Sequence, residues 1–498
     1  MVGRDSDENL SKEMIMGKTY KDTVLVFALV GAVGTRHKTI VEIIKSRLGR
    51  YNYSPIDISI SRSVIPNLFG NKTFDSEYER ITTSMDLGNK ARKDSRDNSI
   101  LALGAITEIT TYRESDLPSK RKCFIISSLK HPEEVDLLRE IYTDGFYLFG
   151  IDSDEDSRVE NLTENMGMNK EEANDLIKRD VSEDEGYGQH TRDTFQKSDF
   201  FVTLNRDHNK TEKDIRRILD LIFGHPHITP TFEEYAMFMA FTSALRSADL
   251  SRQVGAVIAK NNEIIASGAN DIPKAGGGLY WPEYNSTHNQ IIDTEGGRDY
   301  TLGFDSNKQQ QNYIIDEISS LLHLSESDKE RLKESSIKDI TEYGRVVHAE
   351  MEALLMCSRN SVSTSNAELY GTTFPCHNCA KHIVSAGIKR VIYIEPYPKS
   401  KALQFHPDSI TLDSKAKGKK SKKVLFQPFT GIGPRRFFEL FSMAGQSGNT
   451  KRRKEKDGKV KSWSPEMANA RMQLLPVSYL DKETMATSIY KAKMEELK

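Results

Sequence analysis

Cysteine is scarce in this chain: 498 residues contain only four. So few thiols exclude a disulfide-stapled extracellular scaffold and point to a reducing compartment. Long apolar runs are missing as well. None approaches the ~20 residues needed to cross a bilayer, and the first twenty residues are charged without an apolar core, so neither a membrane partner nor a secretory signal is expected. An excess of one charge sign is also lacking, with 70 Lys and Arg against 72 Asp and Glu. That balance builds no global field for nucleic acid. A soluble, cytoplasmic protein is the expectation, and the length predicts two domains with decoration rather than one core.

Against this background two short motifs stand out: Val347-His348-Ala349-Glu350, and Pro375-Cys376-His377-Asn378-Cys379. The apolar run from Glu350 to Cys357 predicts a helix with His348 and Glu350 in its first turn. Ala367–Thr373 reads as a strand, and Pro375 opens a second helix, Cys376 to Ala386, with Cys376 and Cys379 on one face. An imidazole and two thiolates suit Zn²⁺ with a position left for water, as catalytic rather than structural zinc requires. A structural site would need a fourth ligand, and the chain offers Cys123, Cys357, His377 and His382 for it. The H-x-E…P-C-x-x-C pattern resembles the signature of zinc-dependent nucleobase deaminases. That resemblance makes His348, Cys376 and Cys379 the metal ligands and Glu350 the catalytic proton carrier. Bound zinc would acidify a water towards a pKa of ~7.

Upstream, Ser251–Ala259 reads as a strand, Lys260-Asn261-Asn262 as a turn and Glu263–Gly268 as a second strand, a hairpin followed by Ala269-Asn270-Asp271-Ile272-Pro273. Residues 231–397 resemble the deoxycytidylate deaminases of the cytidine deaminase superfamily, in which such a hairpin precedes the zinc helices. The resemblance implies that Asn270 binds the nucleoside and makes Arg252 a candidate for the phosphate; a plain turn residue in the left-handed conformation is the other reading of Asn270. Glu352 departs from the family, which often has asparagine there. A long insertion, 276–343, is a further departure, suited either to covering the pocket or to building an oligomer interface.

The first part of the chain reads differently. Val24–Val30 is a continuous apolar run, as in a strand buried on both faces. Gly31-Ala32-Val33-Gly34-Thr35-Arg36-His37-Lys38-Thr39 and an amphipathic helix follow it. Strand, glycine loop, Lys-Thr and helix is the organisation of a P-loop, which cradles phosphates with Lys at the β/γ oxygens and the hydroxyl on Mg²⁺. Gly31, Gly34, Lys38 and Thr39 are the candidate nucleotide-binding residues. Ala32 and His37 stand where the strict motif wants glycine, which leaves a degenerate loop as the alternative. Further strands at 123–128, 145–151 and 199–204 alternate with helices, as in a parallel sheet. Lysine-rich 414–423 and the basic run 451–454 read as solvated loops or an RNA site, and Arg435 and Arg436 as residues able to meet substrate phosphates.

The expected fold is therefore α/β: a charged tail over 1–20, a P-loop kinase-like parallel-sheet domain over 21–225, and a cytidine-deaminase-like α/β/α domain over 226–498. The last carries the insertion 276–343 and a C-terminal extension, 398–498. This combination resembles bacterial anti-phage dCTP/dCMP deaminases. It implies zinc-dependent conversion of dCTP and dCMP to dUTP and dUMP with release of ammonia, depleting dCTP for viral DNA synthesis, along with a homo-oligomer and an inhibitory small RNA. A polynucleotide deaminase, or a nucleotide kinase or sensor with a regulatory zinc domain, are the alternatives.

Overall fold

The computed structural model describes residues 23–115, 121–182, 188–204, 208–397, 399–413, 423–444, 450–472 and 476–497. The expected charged tail and lysine-rich residues 414–422 lie outside the described residues. The chain forms two compact units, Met1–Pro230 with Thr430–Lys498, and Thr231–Phe429.

In the first unit β1 (Leu25–Gly31) leads into α1 (His37–Leu48), β2 (Ser54–Ser59), α2 (Ile100–Ser115), β3 (Lys122–Ser127), α3 (Pro132–Tyr142), β4 (Phe146–Asp152), α4 (Lys170–Ser182), β5 (Phe200–Thr203) and α5 (His208–Ile222). These strands run parallel in the order β2-β3-β1-β4-β5. Alternation along β1 explains its unbroken apolar run. Val26, Ala28 and Val30 enter one core with Ile106 and Ile109 of α2. Leu25, Phe27 and Leu29 enter another with Ile40 and Ile44 of α1 and Leu219 of α5. Each such side chain contributes about 1.5–3 kcal/mol on burial.

The second unit begins with α6 (Phe232–Ala244), whose first turn is closed by a capping box between Thr231 and Glu234. It continues through β6 (Gly255–Lys260), β7 (Glu263–Ala269), α7 (Ser306–Leu321), α8 (Ala349–Arg359), β8 (Glu368–Thr373), α9 (His377–Ser385), β9 (Arg390–Glu395), β10 (Ile410–Thr411) and β11 (Val424–Pro428). The sheet order is β10-β11-β9-β8-β6-β7, with β6 antiparallel to both neighbours. Asn261 and Asn262, at φ 54° and 60°, make the mirror-image two-residue turn of the expected hairpin. A Cβ on Gly255 would come within 2.0 Å of the Ala240 carbonyl oxygen, and one on Gly268 within 2.1 Å of that of Ala349. Ala256, not Gly255, is paired with Gly268, so these two bare positions lie on opposite faces. They let α6 approach one face of the hairpin and α8 the other.

Two sequence expectations shift here. The first hairpin strand starts at Gly255 rather than Ser251, because the backbone of Arg252 and Val254 is bonded to the Asn270 side chain instead of a neighbouring strand. The inserted segment also has a closed base: Asp271 and Val347 exchange both backbone hydrogen bonds, 3.3 and 3.0 Å. Ends already held together let a long insertion be accommodated at little additional entropic cost.

The expected second domain, 226–498, does not coincide with the division of the chain. Its last part returns to the first unit, where β12 (Gly431–Ile432) pairs antiparallel with β5, followed by α10 (Pro434–Phe441) and α11 (Pro476–Leu497). The apolar run 424–432 is thus split between two sheets: the Phe429 amide still reaches the Tyr393 carbonyl of β9 at 2.7 Å, and Gly431, at φ 130°, begins β12. Arg436 does not serve as a phosphate ligand either: it is buried against Asp199 (3.3 Å), the Phe146 carbonyl (2.7 Å) and the Tyr147 ring. On α11, Tyr479, Ala486 and Tyr490 enter the core of the first unit, and Glu483 pairs with Arg113 of α2, both buried. Removing one partner of a buried pair strands the other's charge, so Glu483→Ala should destabilise the first unit by about 3–5 kcal/mol in urea unfolding. A change below about 1 kcal/mol would show that α11 is not held this way.

Candidate active site

Two helix starts converge in the second unit. His348 is the N-cap of α8 and Cys376 the N-cap of α9, so both precede their helices, where the sequence reading put His348 in the first turn of one and Cys376 inside the other. The Cys376 sulfur accepts the Cys379 amide at 3.4 Å, the hydrogen bond an N-cap side chain makes. His348 Nδ1 lies 3.3 Å from Cys376 Sγ and 3.4 Å from Cys379 Sγ. Tetrahedral zinc with ordinary Zn–N and Zn–S bonds needs these atoms about 3.5 Å apart, so the set fits. No fourth His, Cys, Asp or Glu joins the cluster among the described residues. Cys123 belongs to β3 of the other unit, and Cys357 is buried at the far end of α8.

The protonation of the three ligands follows from their contacts. Cys376 is pushed down to about 4, first by its hydrogen bond with Cys379 and then by His348. His348 is pushed up to about 9, chiefly by its hydrogen bond to Cys376. Cys379 is raised by that same Cys376 contact and by burial. Glu350, in the first turn of α8 and buried, lies 3.5 Å from Cys379 Sγ. Burial pushes its carboxyl above the usual range, which favours holding a proton.

This cluster lies in a cavity of about 650 Å³. Asn270 and Arg252, both named from the sequence, line it too, in different ways. Asn270 is 6% exposed, accepts from Val254 N–H (2.6 Å) and donates to the Arg252 carbonyl (2.8 Å). Its backbone is not left-handed, so the turn-residue reading fails. It is a strut that ties the strand end to the cavity wall and retains one amide hydrogen for a ligand. Arg252 is half exposed, lies over the Tyr397 ring at 4.9 Å and reaches Glu395 at 3.5 Å. Sequence reasoning missed Tyr397, two residues past the end of β9, and left open whether the insertion covers the pocket; Asn307 and Asp339 of the insertion stand on its wall. The insertion therefore does line the pocket.

Gly31, Gly34, Lys38 and Thr39 line a separate cavity of about 910 Å³ in the first unit. Gly34 takes φ 86°, and Lys38 is exposed there. The loop amide of Val33 is already engaged by Asp180 of α4 at 2.9 Å, whose carboxylate also holds Lys130 at 3.0 Å.

Zinc ligation needs both thiolates and a neutral imidazole. Near neutral pH Cys376 has already lost its proton, whereas His348 and Cys379 hold theirs. Binding of Zn²⁺ to metal-free protein should thus release about two protons, and affinity should fall as pH falls. Calorimetry in buffers of different ionisation enthalpy measures that number; release of none would contradict these assignments.

Comparison with known proteins agrees with this geometry. The family described as the cytidine and deoxycytidylate deaminase zinc-binding region matches residues 230–395. The deoxycytidylate deaminase of enterobacteria phage T2 is 30% identical over 165 residues, covering 33% of this chain and 79% of that protein. ComE operon protein 2 of Bacillus subtilis is 53% identical over 53 residues, 11% of this chain and 28% of that protein. Human deoxycytidylate deaminase is 28% identical over 162 residues, 32% of this chain and 63% of its own length. With the His348–Cys376–Cys379 cluster and buried Glu350 inside the matched segment, the chain belongs to the cytidine and deoxycytidylate deaminase family and is a hydrolytic deaminase.

Proposed function

We propose that this enzyme deaminates free deoxycytidine nucleotides, dCMP and dCTP, to the corresponding deoxyuridine nucleotides. The observation that carries the reading is the placement of buried Glu350 beside the His348–Cys376–Cys379 cluster in a cavity that Arg252 also lines. Zn²⁺ held by those three residues supplies a water acidified towards a pKa of ~7. Water oxygen replaces the exocyclic amine at C4 of the base. Glu350 takes the two water protons in turn, passing the first to the ring nitrogen and the second to the departing amine, so that the C–N bond breaks with ammonia as the leaving group and the carboxylate is restored. Asn270 orients the sugar and Arg252 meets the phosphate.

A deaminase of polynucleotides must grip a strand with a basic groove and stacking aromatics. Here the insertion contributes carboxylates to the cavity wall, among them Asp305, Asp339 and Glu342, which favours a free nucleotide over a strand. Consumption of dCTP would deprive DNA synthesis of a precursor, the antiviral role that the resemblance to anti-phage enzymes implies. In the first unit we infer a nucleotide phosphate at Gly31, Gly34, Lys38 and Thr39. The support is the cavity at the carboxyl end of β1, where the connections of the adjacent strands β1 and β3 leave to opposite sides. Engagement of the Val33 amide by Asp180 favours binding over phosphoryl transfer.

Glu350→Ala should retain zinc by elemental analysis and lose ammonia release by about 10²–10⁴-fold, the usual worth of a positioned acid–base group. Activity within a few-fold of wild type on dCMP and dCTP would remove Glu350 from the mechanism. Activity on single-stranded DNA but on neither nucleotide would replace the substrate assignment.

A further inference from the structure

We propose that Lys399 and Lys401 sense how many phosphates the substrate carries, with Asp339 of the insertion occupying the outer-phosphate position until nucleotide arrives. This rests on the deoxycytidine-nucleotide reading above.

The groups along the cavity follow an order. Tyr397, Lys399 and Lys401 follow one another on the loop after β9 and line the cavity, with Asp339 of the insertion facing Lys399. Arg252 lies over the Tyr397 ring. A base held at the cluster would therefore carry its first phosphate towards Arg252 and Tyr397, and any further phosphates towards Lys399 and Lys401, which line the same cavity. At about 650 Å³ the space is within the range of sites that enclose whole ligands.

Most of the carboxylates on this wall are committed to local contacts. Asp249 accepts the Ser251 and Arg252 amides. Asp299 holds Arg345 at 2.9 Å, Asp305 caps α7, and Glu342 accepts the Thr341 amide. Asp339 differs: its carboxylate meets Lys399 Nζ at 2.7 Å, both side chains being about half exposed. The Lys401 ammonium has no ion-pair or hydrogen-bond partner among the described residues.

Magnitudes decide which contact wins. An exposed Lys–Asp pair contributes roughly 0–1 kcal/mol. Ammonium–phosphate hydrogen bonds are charge-assisted and stronger, and a triphosphate brings several oxygens with more charge than one carboxylate. A triphosphate can displace Asp339, whereas a monophosphate ends short of the pair. The chain-length preference is then set on the loop after β9 and by the insertion, on side chains other than the His348, Cys376, Cys379 and Glu350 set.

The test is kcat/KM of the full chain on dCMP and dCTP for wild type and three variants. Lys399→Ala and Lys401→Ala should each cost about tenfold on dCTP and less than about threefold on dCMP, mostly through KM, as expected for lost phosphate contacts of about 1.4 kcal/mol. Asp339→Asn should lower KM for dCTP and leave the dCMP value nearly unchanged. Equal losses on both nucleotides, or no loss, would overturn the lysine assignment, and an unchanged dCTP KM in Asp339→Asn would overturn the placeholder role. If wild type deaminates neither nucleotide, the substrate reading itself falls and takes this inference with it; if wild type works and only the graded response is missing, the inference alone falls.

Discussion

His348 and Cys376 each sit one residue before a helix, and the two helices begin within hydrogen-bonding distance of each other. The positive ends of α8 and α9 thus point at one spot, which favours thiolate there before metal arrives. The hydrogen bond from the Cys379 amide to Cys376 Sγ turns an N-cap into a ligand. Much of the second unit serves to keep these helix starts together. Bare Gly268 lets α8 lie directly on β7, and β8 and β9 run parallel on either side of the connection that carries α9. Glu350 follows from the same arrangement, since two residues after an N-cap is the first turn, aimed at the metal ligands.

Asn270 shows how a position on the cavity wall is made rigid. Both ends of its side-chain amide are held by backbone of the preceding segment, and its backbone carbonyl accepts the Ser247 hydroxyl at 2.6 Å. A buried side chain with that many partners holds its remaining hydrogen-bond capacity in a fixed direction, which is what preorganisation of a site means physically. The insertion extends the same frame. Arg298, almost fully buried, reaches Asp271 at 3.5 Å and Asp293 at 3.2 Å, tying the insertion back to its own base.

The first unit has a parallel sheet in the order β2-β3-β1-β4-β5 with a glycine turn after β1, and two side chains occupy that loop. Asp180 takes the Val33 amide, and His37 stands where a strict loop would have glycine, its imidazole pushed down to about 4 by burial and by the Lys130 charge. A neutral imidazole and a paired carboxylate leave less positive field for a polyphosphate than an open ring of amides. Lys38 and Thr39 remain at the cavity, so the loop is modified rather than erased.

The motif residues that the structure brings together, His348, Glu350, Cys376 and Cys379, the hairpin and the alternating strands were all legible in the sequence, because each rests on short-range rules. Metal-ligand spacing, period-two burial, Asn-Asn turns and apolar runs are local properties of the chain. Tertiary structure decided what depends on distant partners. It sent residues 430–498 to the first unit, because Ile432, Tyr479 and Tyr490 bury against cores built by residues hundreds of positions earlier. It made Arg436 an anchor for Asp199 and placed the insertion on the pocket wall, and it recruited Tyr397 and Lys399 to that wall. No periodicity encodes such pairings, since the free energy that selects them comes from burial and charge neutralisation between segments that meet only once the chain has folded.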